Sequence, residues 1–154
     1  LQWKDDNVMA LNNYAYYLSE KGVDLHKAEA MSYKTIKAEP NNGTYLDTYA
    51  WILFMEERYA DAKTYIDQAL KNRDSTADNS TVLEHAGDIY YMNGMADESV
   101  DFWKKAYTGE NQTEVLAWKI KNRQYITEEE LKKRNASKQK PAATKKSVRK
   151  GKKK

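Results

Sequence analysis

The chain has 154 residues, of which 40% are hydrophobic and 32% are charged, and it contains no cysteine. This length suits one domain with a thin, layered core rather than a large globular one. The lack of cysteine excludes a disulfide framework and a cysteine-based zinc site. No apolar run approaches the roughly 20 residues that a membrane-spanning helix needs. Two prolines and six glycines in the whole chain favour helix throughout.

Residues 45–70 are the stretch around which the rest of the chain is organised. Their apolar residues recur at the i, i+3 and i+4 positions of two helices, which a tight turn joins. Neither helix can bury its apolar face alone, so the pair needs a neighbouring pair of the same kind. The predicted faces are Leu46, Tyr49, Ala50 and Leu53 on the first helix, and Tyr59, Ala62, Ile66, Ala69 and Leu70 on the second.

Similar segments lie on both sides of this stretch. Residues 13–18 match residues 48–53 at a spacing of 35, and residues 85–90 match at a further 37. A second predicted helix follows each of these segments. A period near 34 residues, with a small residue, an aromatic residue and paired alanines at fixed positions, resembles the tetratricopeptide repeat (TPR). The resemblance covers about residues 1–112.

The resemblance implies an all-α solenoid of helix-turn-helix repeats, with a C-terminal capping helix and a disordered basic tail. The small residue of the first helix falls on Ala15, Ala50 and Gly87. Other positions depart mildly from the family pattern. The turn glycine of the first and third repeats (Gly22, Gly94) is replaced by Glu57 in the middle repeat, and the proline that closes the first repeat (Pro40) is replaced by Asp74 and Asn111 in the other two. On the second helices, the first alanine (Ala28, Ala62) is replaced by Ser99 in the third repeat, and the later alanine (Ala69, Ala106) is replaced by Thr35 in the first.

The pattern predicts the following helices and boundaries. Helices are expected near 7–20, 25–38, 81–93 and 96–108, besides the central pair, with another after Gly109. Residues 127–130 have a capping-box pattern that opens a short charged helix. We expect three repeats at about 7–42, 43–79 and 80–112, a capping region at 113–131 and a disordered tail at 132–154.

The first six residues are predicted to be the remnant of a preceding repeat. Counted back from Ala15, Leu1 falls at the position of Ile36, within a second helix, and residues 5–7 fall at the turn position of residues 40–42. This pattern indicates the C-terminal piece of a longer repeat protein. The alternative is that residues 1–3 form a frayed arm.

The charge of the chain is divided between an acidic body and a basic tail. Residues 132–154 hold twelve Lys and Arg and no acid, whereas the remaining 131 residues hold 14 basic and 23 acidic ones. With one branched apolar residue, the tail lacks the apolar surface needed to order itself. It is either a solubilising segment or a weak contact for nucleic acid, an anionic membrane or the acidic groove of the same chain.

Motifs for catalysis or cofactor binding are absent from the sequence. His26 and His85 have neither an HExxH motif nor a second ligand at metal spacing. The glycines form no phosphate-binding cluster, and no GxSxG is present. We therefore expect no enzymatic activity, no cofactor and no metal site.

The remaining candidate is a surface. In the TPR family the first helices line a concave groove that binds a peptide, and relatives that capture a terminal carboxylate use Lys, Asn and Arg there. This chain has Asn12 but otherwise acids and aromatics, which favours a protein or peptide partner of basic and apolar character. Trp51 is expected to point away from the apolar face and to be an exposed anchor. The groove positions are Asn12, Tyr16, Asp47, Trp51, Phe54, Met55, Glu84, Asp88, Tyr91 and Met92.

Two classes of function stay open at this point. The first is a scaffold or adaptor that binds protein segments, and the second is an accessory module of a larger bacterial envelope protein or enzyme. A nucleic-acid-binding role is third and depends on the tail alone. The phrases around Ala15 and Ala50 resemble those of bacterial TPR proteins, so a bacterial cytoplasm or periplasm is expected, with the chain soluble.

Overall fold

The computed structural model describes residues 4–74 and 76–138, and within these residues all regular structure is helical. Turns of three to five residues connect the helices, apart from the longer connections at 72–79 and 107–113. Seven helices come first, and residues 128–138 form α8. The helices are α1 (Lys4–Lys21), α2 (Leu25–Ala38), α3 (Gly43–Met55), α4 (Tyr59–Lys71), α5 (Ser80–Met92), α6 (Ala96–Ala106) and α7 (Glu114–Asn122).

The helices pack as three consecutive hairpin pairs. The partners are α1 with α2, α3 with α4, and α5 with α6, and each pair packs on the next through α2 with α3 and α4 with α5. The first helices also meet one another, α1 with α3 and α3 with α5. Each pair therefore buries its apolar faces against its neighbours, as stacked repeats do. The predicted all-α solenoid is confirmed.

Helix α3 is the centre of the core. Leu46, Tyr49, Ala50 and Leu53 are all buried, as the sequence predicts. Most of the rest of the helix is buried as well, apart from Gly43, Thr44, Asp47 and Met55, because α1, α2, α4 and α5 all pack against it. Its N-terminus is capped by the Asn42 side chain, which accepts a hydrogen bond from the Tyr45 amide at 3.1 Å. This cap satisfies a backbone donor that the helix itself leaves unpaired.

The tight turns within the three pairs share one backbone conformation. Gly22 and Gly94 have φ values of 68° and 78°, in the left-handed region that favours glycine. Glu57 has φ 63° at the equivalent position of the middle pair. The turn geometry is therefore kept where the glycine is replaced, at the cost of backbone strain.

A close approach explains the glycine on α5. A Cβ atom on Gly87 would lie 2.3 Å from Cδ1 of Trp103, whose side chain is fully buried on α6. Since real Cβ atoms do not approach so closely, only glycine fits here without movement of the indole. The position that is alanine in the first two pairs thus becomes glycine because the third pair packs a tryptophan against it.

Both ends of the described chain differ from the prediction. Helix α1 begins at Lys4, so residues 5–7 are helical rather than a turn. The predicted disorder is wrong for residues 132–138, which belong to α8. Residues 1–3 and 139–154, on which the rest of the remnant and tail predictions fall, lie outside the described residues.

The capping box at the start of α8 is confirmed. The Thr127 hydroxyl accepts a hydrogen bond from the Glu130 amide at 3.1 Å, and the Glu130 carboxylate accepts one from the Thr127 amide at 3.2 Å. Leu131, which is 5% exposed, anchors the helix to the core. These contacts explain why the helix continues beyond residue 131. Among the described helices, none is both long and apolar enough to cross a membrane.

Candidate peptide-binding groove

The inner face of the solenoid carries a cleft of about 660 Å³, called here the main cleft. Helices α1, α3 and α5 supply one side of its wall, and α7 with the start of α8 supplies the other. The apolar part of the wall comes from Tyr16, Trp51, Met55 and Ile126. The exposed charged side chains lie at the rim, and they are Glu20, Lys21, Glu128, Glu129 and Lys132. The first helices of the three pairs therefore line a common concavity, as the family resemblance implies.

A second cleft of about 610 Å³, called here the amide cleft, lies at the N-terminal ends of α3 and α5. It shares Tyr16 and Thr81 with the main cleft, so the two have a common wall. A carboxamide group both donates and accepts hydrogen bonds, as a peptide main chain does. The asparagines that line the amide cleft are Asn12, Asn13, Asn41, Asn42, Asn72 and Asn79.

A stack of aromatic rings forms the floor of the main cleft. Trp51 lies parallel to the His85 ring, with centroids 4.0 Å apart, and to the Phe54 ring at 4.6 Å. Tyr125 then meets Phe54 edge-on at 5.6 Å. The expectation of an exposed Trp51 is wrong, because its side chain is only 7% exposed between these rings. Trp51 lines the cleft as part of the core.

The acidic stripe predicted along the first helices is paired with cations. Asp47 on α3 lies 2.9 Å from Nδ1 of His85 on α5. Burial alone would lower the pKa of the His85 imidazole, but the Asp47 carboxylate, with Asp88 and Glu84, raises this pKa above its ordinary value. Asp47 therefore holds the buried imidazole in place and favours its protonated form.

Asp88 and Glu84 both pair with one lysine from α7. The Lys119 ammonium donates to Asp88 at 2.8 Å and to Glu84 at 2.9 Å. Burial would lower the pKa of Lys119, but these two carboxylates raise it above its usual value. Asp88 also accepts a hydrogen bond from the Trp103 indole at 2.9 Å. A basic partner at this place would have to compete with Lys119.

The predicted groove residues fall into three groups. Tyr16, Trp51, Met55, Glu84 and Asp88 line the main cleft, and Asn12, Tyr16 and Asp47 line the amide cleft. The other three line neither of these two clefts. Phe54 is buried beneath Trp51, Tyr91 stacks on Trp103 with centroids 6.1 Å apart, and Met92 is 37% exposed elsewhere.

Among the residues that line the main cleft, His85, Lys119, Tyr125 and Ile126 were not predicted as groove residues. The sequence motifs bear on His85 only as a possible metal ligand, and no motif singles out Lys119. The sequence feature that could have indicated a buried Lys119 is its position between the apolar residues Trp118 and Ile120 of a short helix. No pattern within one repeat indicates that residues 125–126 reach back to α3, because that contact joins distant parts of the chain.

One group of side chains has the composition of a metal site. Ligand atoms of His26, Glu29 and Glu56 all lie within 4.8 Å of one another. The Arg58 guanidinium is 3.0 Å from Glu29 and 3.7 Å from Glu56, so a cation is already present between these carboxylates. Burial, and then the nearby Glu29, raise the pKa of the Glu56 carboxyl. The absence of a metal site stays a prediction.

Comparison with known proteins supports the repeat assignment. No protein-family model matches the chain. A TPR repeat-containing protein of Pseudomonas aeruginosa is 35% identical over 66 residues, which is 43% of this chain and 11% of that protein. The chain therefore spans about a tenth of that relative.

Solved structures show the same fold. The first TPR domain of the human RPAP3 protein has a TM-score of 0.65 at 13% identity, covering 76% of this chain and 89% of that domain. The first TPR of Spaghetti, bound to the HSP90 peptide SRMEEVD, also has a TM-score of 0.65 at 13% identity, covering 77% and 90%. Together with the repeated small-residue positions and the three packed helix pairs, these likenesses show that the chain has the fold of tetratricopeptide repeat proteins.

Proposed function

We propose that the chain is a non-catalytic interaction scaffold that binds a peptide segment of another protein along the main and amide clefts. The observation that carries the proposal is that the two clefts adjoin at Tyr16 and Thr81, so that together they extend across α1, α3 and α5. The TPR of Spaghetti, whose fold is similar, is bound to a peptide.

The chemistry of the two clefts suits an extended peptide. The main cleft offers apolar contacts through Trp51 and Met55, and the amide cleft offers asparagine side chains. Within the described residues, the Trp51 indole N–H and the Asn12 side-chain oxygen are buried without a hydrogen-bond partner. Buried polar groups that have no hydrogen-bond partner cost free energy. A peptide main chain can pair with both groups, because its carbonyl accepts a hydrogen bond and its amide donates one.

The partner is proposed to present apolar side chains to the main cleft. A basic side chain is accommodated less readily than the sequence suggested, since His85 and Lys119 already pair with the acids of the floor. The amide cleft retains Asp74 and Asp78 among its lining residues, beside Arg73. A basic residue of the partner is therefore proposed for the amide cleft rather than for the main cleft.

The other functions considered from the sequence stay predictions. A role as an accessory module of a larger envelope protein or enzyme depends on sequence beyond this chain. Docking of the tail into the groove, or contact of the tail with nucleic acid or an anionic membrane, depends mainly on residues 139–154, which lie outside the described part. The scaffold function is the one that the described residues support.

The proposal is tested by selecting peptides from a random library on the full chain and titrating the best one by fluorescence anisotropy. Met55→Lys places a charge in the main cleft and should weaken binding at least tenfold. Met92→Lys, on α5 outside both clefts, is the matched control and should bind as the wild type does. Equal binding by wild type and Met55→Lys would reject the main cleft as the site.

A further inference from the structure

Residues 124–131, which follow α7 and include the first turn of α8, form what we call the C-terminal strap. Ile126 and Leu131 are 3% and 5% exposed, although they lie outside the three helix pairs. Six of the eight strap residues, 125 and 126 among them, are either buried or line the main cleft. The strap therefore fills space on the inner face that the first helices alone would leave open.

Tyr125, which is half-buried, makes the aromatic contacts of the strap. Its ring meets Phe54 on α3 edge-on at 5.6 Å and lies 5.6 Å from the Lys119 ammonium. It packs against both the core around α3 and the core around α6 and α7. Burial raises the pKa of the Tyr125 phenol, with smaller effects of Asp88 and Glu130 in the same direction. An aromatic side chain thus occupies the groove at the end of α3.

The strap is attached to the rest of the molecule in two ways. Its apolar side chains enter the groove, whereas its ends are held by exposed polar contacts to α6 and α7. Arg123 reverses the chain with φ 54° and pairs with Asp97, and Asn135 donates to Glu114 at 3.2 Å. Exposed pairs of this kind contribute little to stability. The apolar contacts are therefore the ones that keep the strap in place.

We propose that the strap is an internal ligand of the main cleft, and that a partner peptide enters this cleft by displacing Tyr125 and Ile126. This inference rests on the proposed function and names the regulation of the same site. The side chains that now fill the cleft also define what fits it: a segment with an aromatic residue followed by an aliphatic one. The partner peptide presents such a pair, and the strap competes with it within the same chain.

If the strap competes with a partner peptide, removing the strap side chains from the cleft should raise the affinity of the chain for a free peptide. A tethered segment acts at an effective concentration of roughly millimolar, so a free peptide of the same sequence binds the intact chain weakly. The Tyr125→Ala/Ile126→Ala variant of the full chain removes both side chains from the cleft. A fluorescein-labelled peptide with the sequence of residues 124–136 should then bind at least tenfold more tightly than it binds the wild type. If the variant binds this peptide no more tightly, the strap is a fixed wall and the proposal is overturned.

A second design leaves the strap side chains unchanged. Lys21 and Glu129 are exposed residues of opposite walls of the main cleft, and the chain has no native cysteine. A reducible bismaleimide across Lys21→Cys and Glu129→Cys should hold the strap closed. The control tether joins Lys104→Cys and Lys121→Cys, which flank a separate shallow cleft between α6 and α7.

Hydrogen exchange of residues 125–131 is compared before and after each tether, without any peptide. The cleft tether should slow this exchange several-fold, reduction should restore it, and the control tether should leave it unchanged. Exchange as slow as that of α3, and unaffected by the cleft tether, would contradict the proposal. This readout tests the strap alone. If library-selected peptides bind neither the wild type nor the Tyr125→Ala/Ile126→Ala variant, the proposed function is wrong, whatever the exchange of the strap shows.

Discussion

Trp51 of α3 lies face to face with His85 of α5, with ring centroids 4.0 Å apart and planes inclined by 16°. The two residues belong to neighbouring repeats, so their contact joins the middle pair to the third. The Asp47 carboxylate holds the imidazole through its Nδ1 atom, at a distance of 2.9 Å. One contact therefore forms the floor of the main cleft and also stabilises the stacking of the repeats.

Trp51→Ala should destabilise the chain strongly. The indole is 7% exposed between His85 and Phe54, and truncation of a buried Trp to Ala costs about 3–5 kcal/mol. Urea unfolding measures this loss. Tyr17→Ala, at a residue that is 54% exposed, is the control and should change the free energy of unfolding by about 0.5 kcal/mol or less. Equal effects of the two substitutions would show that Trp51 is not part of the core.

Stability should depend on the protonation of His85. Its pKa in the folded state is raised, with Asp47 outweighing the effect of burial. The stabilising contribution is therefore complete below the unfolded pKa of about 6.5 and is lost as pH rises through the higher folded value. Between about pH 6 and pH 8, the wild type should lose more unfolding free energy than His85→Gln. Parallel curves for the two proteins would contradict the ion pair.

Gly87→Ala should destabilise, although alanine is the better helix former. Helix propensity alone would stabilise by about 1 kcal/mol, but the new Cβ would lie 2.3 Å from the Trp103 ring. Overpacking of this kind costs about 1–3 kcal/mol. A double-mutant cycle with Trp103→Leu should recover part of the loss, because the smaller side chain leaves room for the methyl group. Additive effects would place the two residues out of contact.

Glu57→Gly should stabilise the middle turn. Glu57 has φ 63°, where a residue with a Cβ costs about 1–2 kcal/mol, and the added backbone entropy of glycine offsets about 0.5–1 kcal/mol of the gain. A rise of roughly 0.5–1 kcal/mol in unfolding free energy is expected. Gly94→Ala, at φ 78° in the equivalent turn, should lower stability. A loss on Glu57→Gly would mean that the carboxylate has a structural role.

The periodic features of this fold are the ones that the sequence predicts well. The bounds of α2 match residues 25–38, and the capping box at Thr127 forms as expected. Such features depend on residues a few positions apart. Even the departure at Glu57 leaves the turn conformation in place, because the packing of the helix pair imposes it.

The features that the sequence did not predict depend on contacts between distant residues. Trp51 is buried because His85, from another repeat, stacks on it, and Asp88 is neutralised because α7 brings Lys119 to it. Helical periodicity treats Trp51 as a position off the apolar face, since it considers one helix at a time. The position of Tyr125 against Phe54 is of the same kind. Patterns within one repeat therefore do not reveal contacts that several parts of the chain contribute to one cleft.

The claim that the inner face binds a peptide is tested most directly by mapping amide chemical shifts in the full chain as a library-selected peptide is added. The proposal predicts changes at Tyr16, Trp51, Met55 and Thr81 on α1, α3 and α5, together with changes at Tyr125 and Ile126 as the strap is displaced. Changes confined to α2, α4 and α6 would place the binding surface on the outer face and contradict the proposed function.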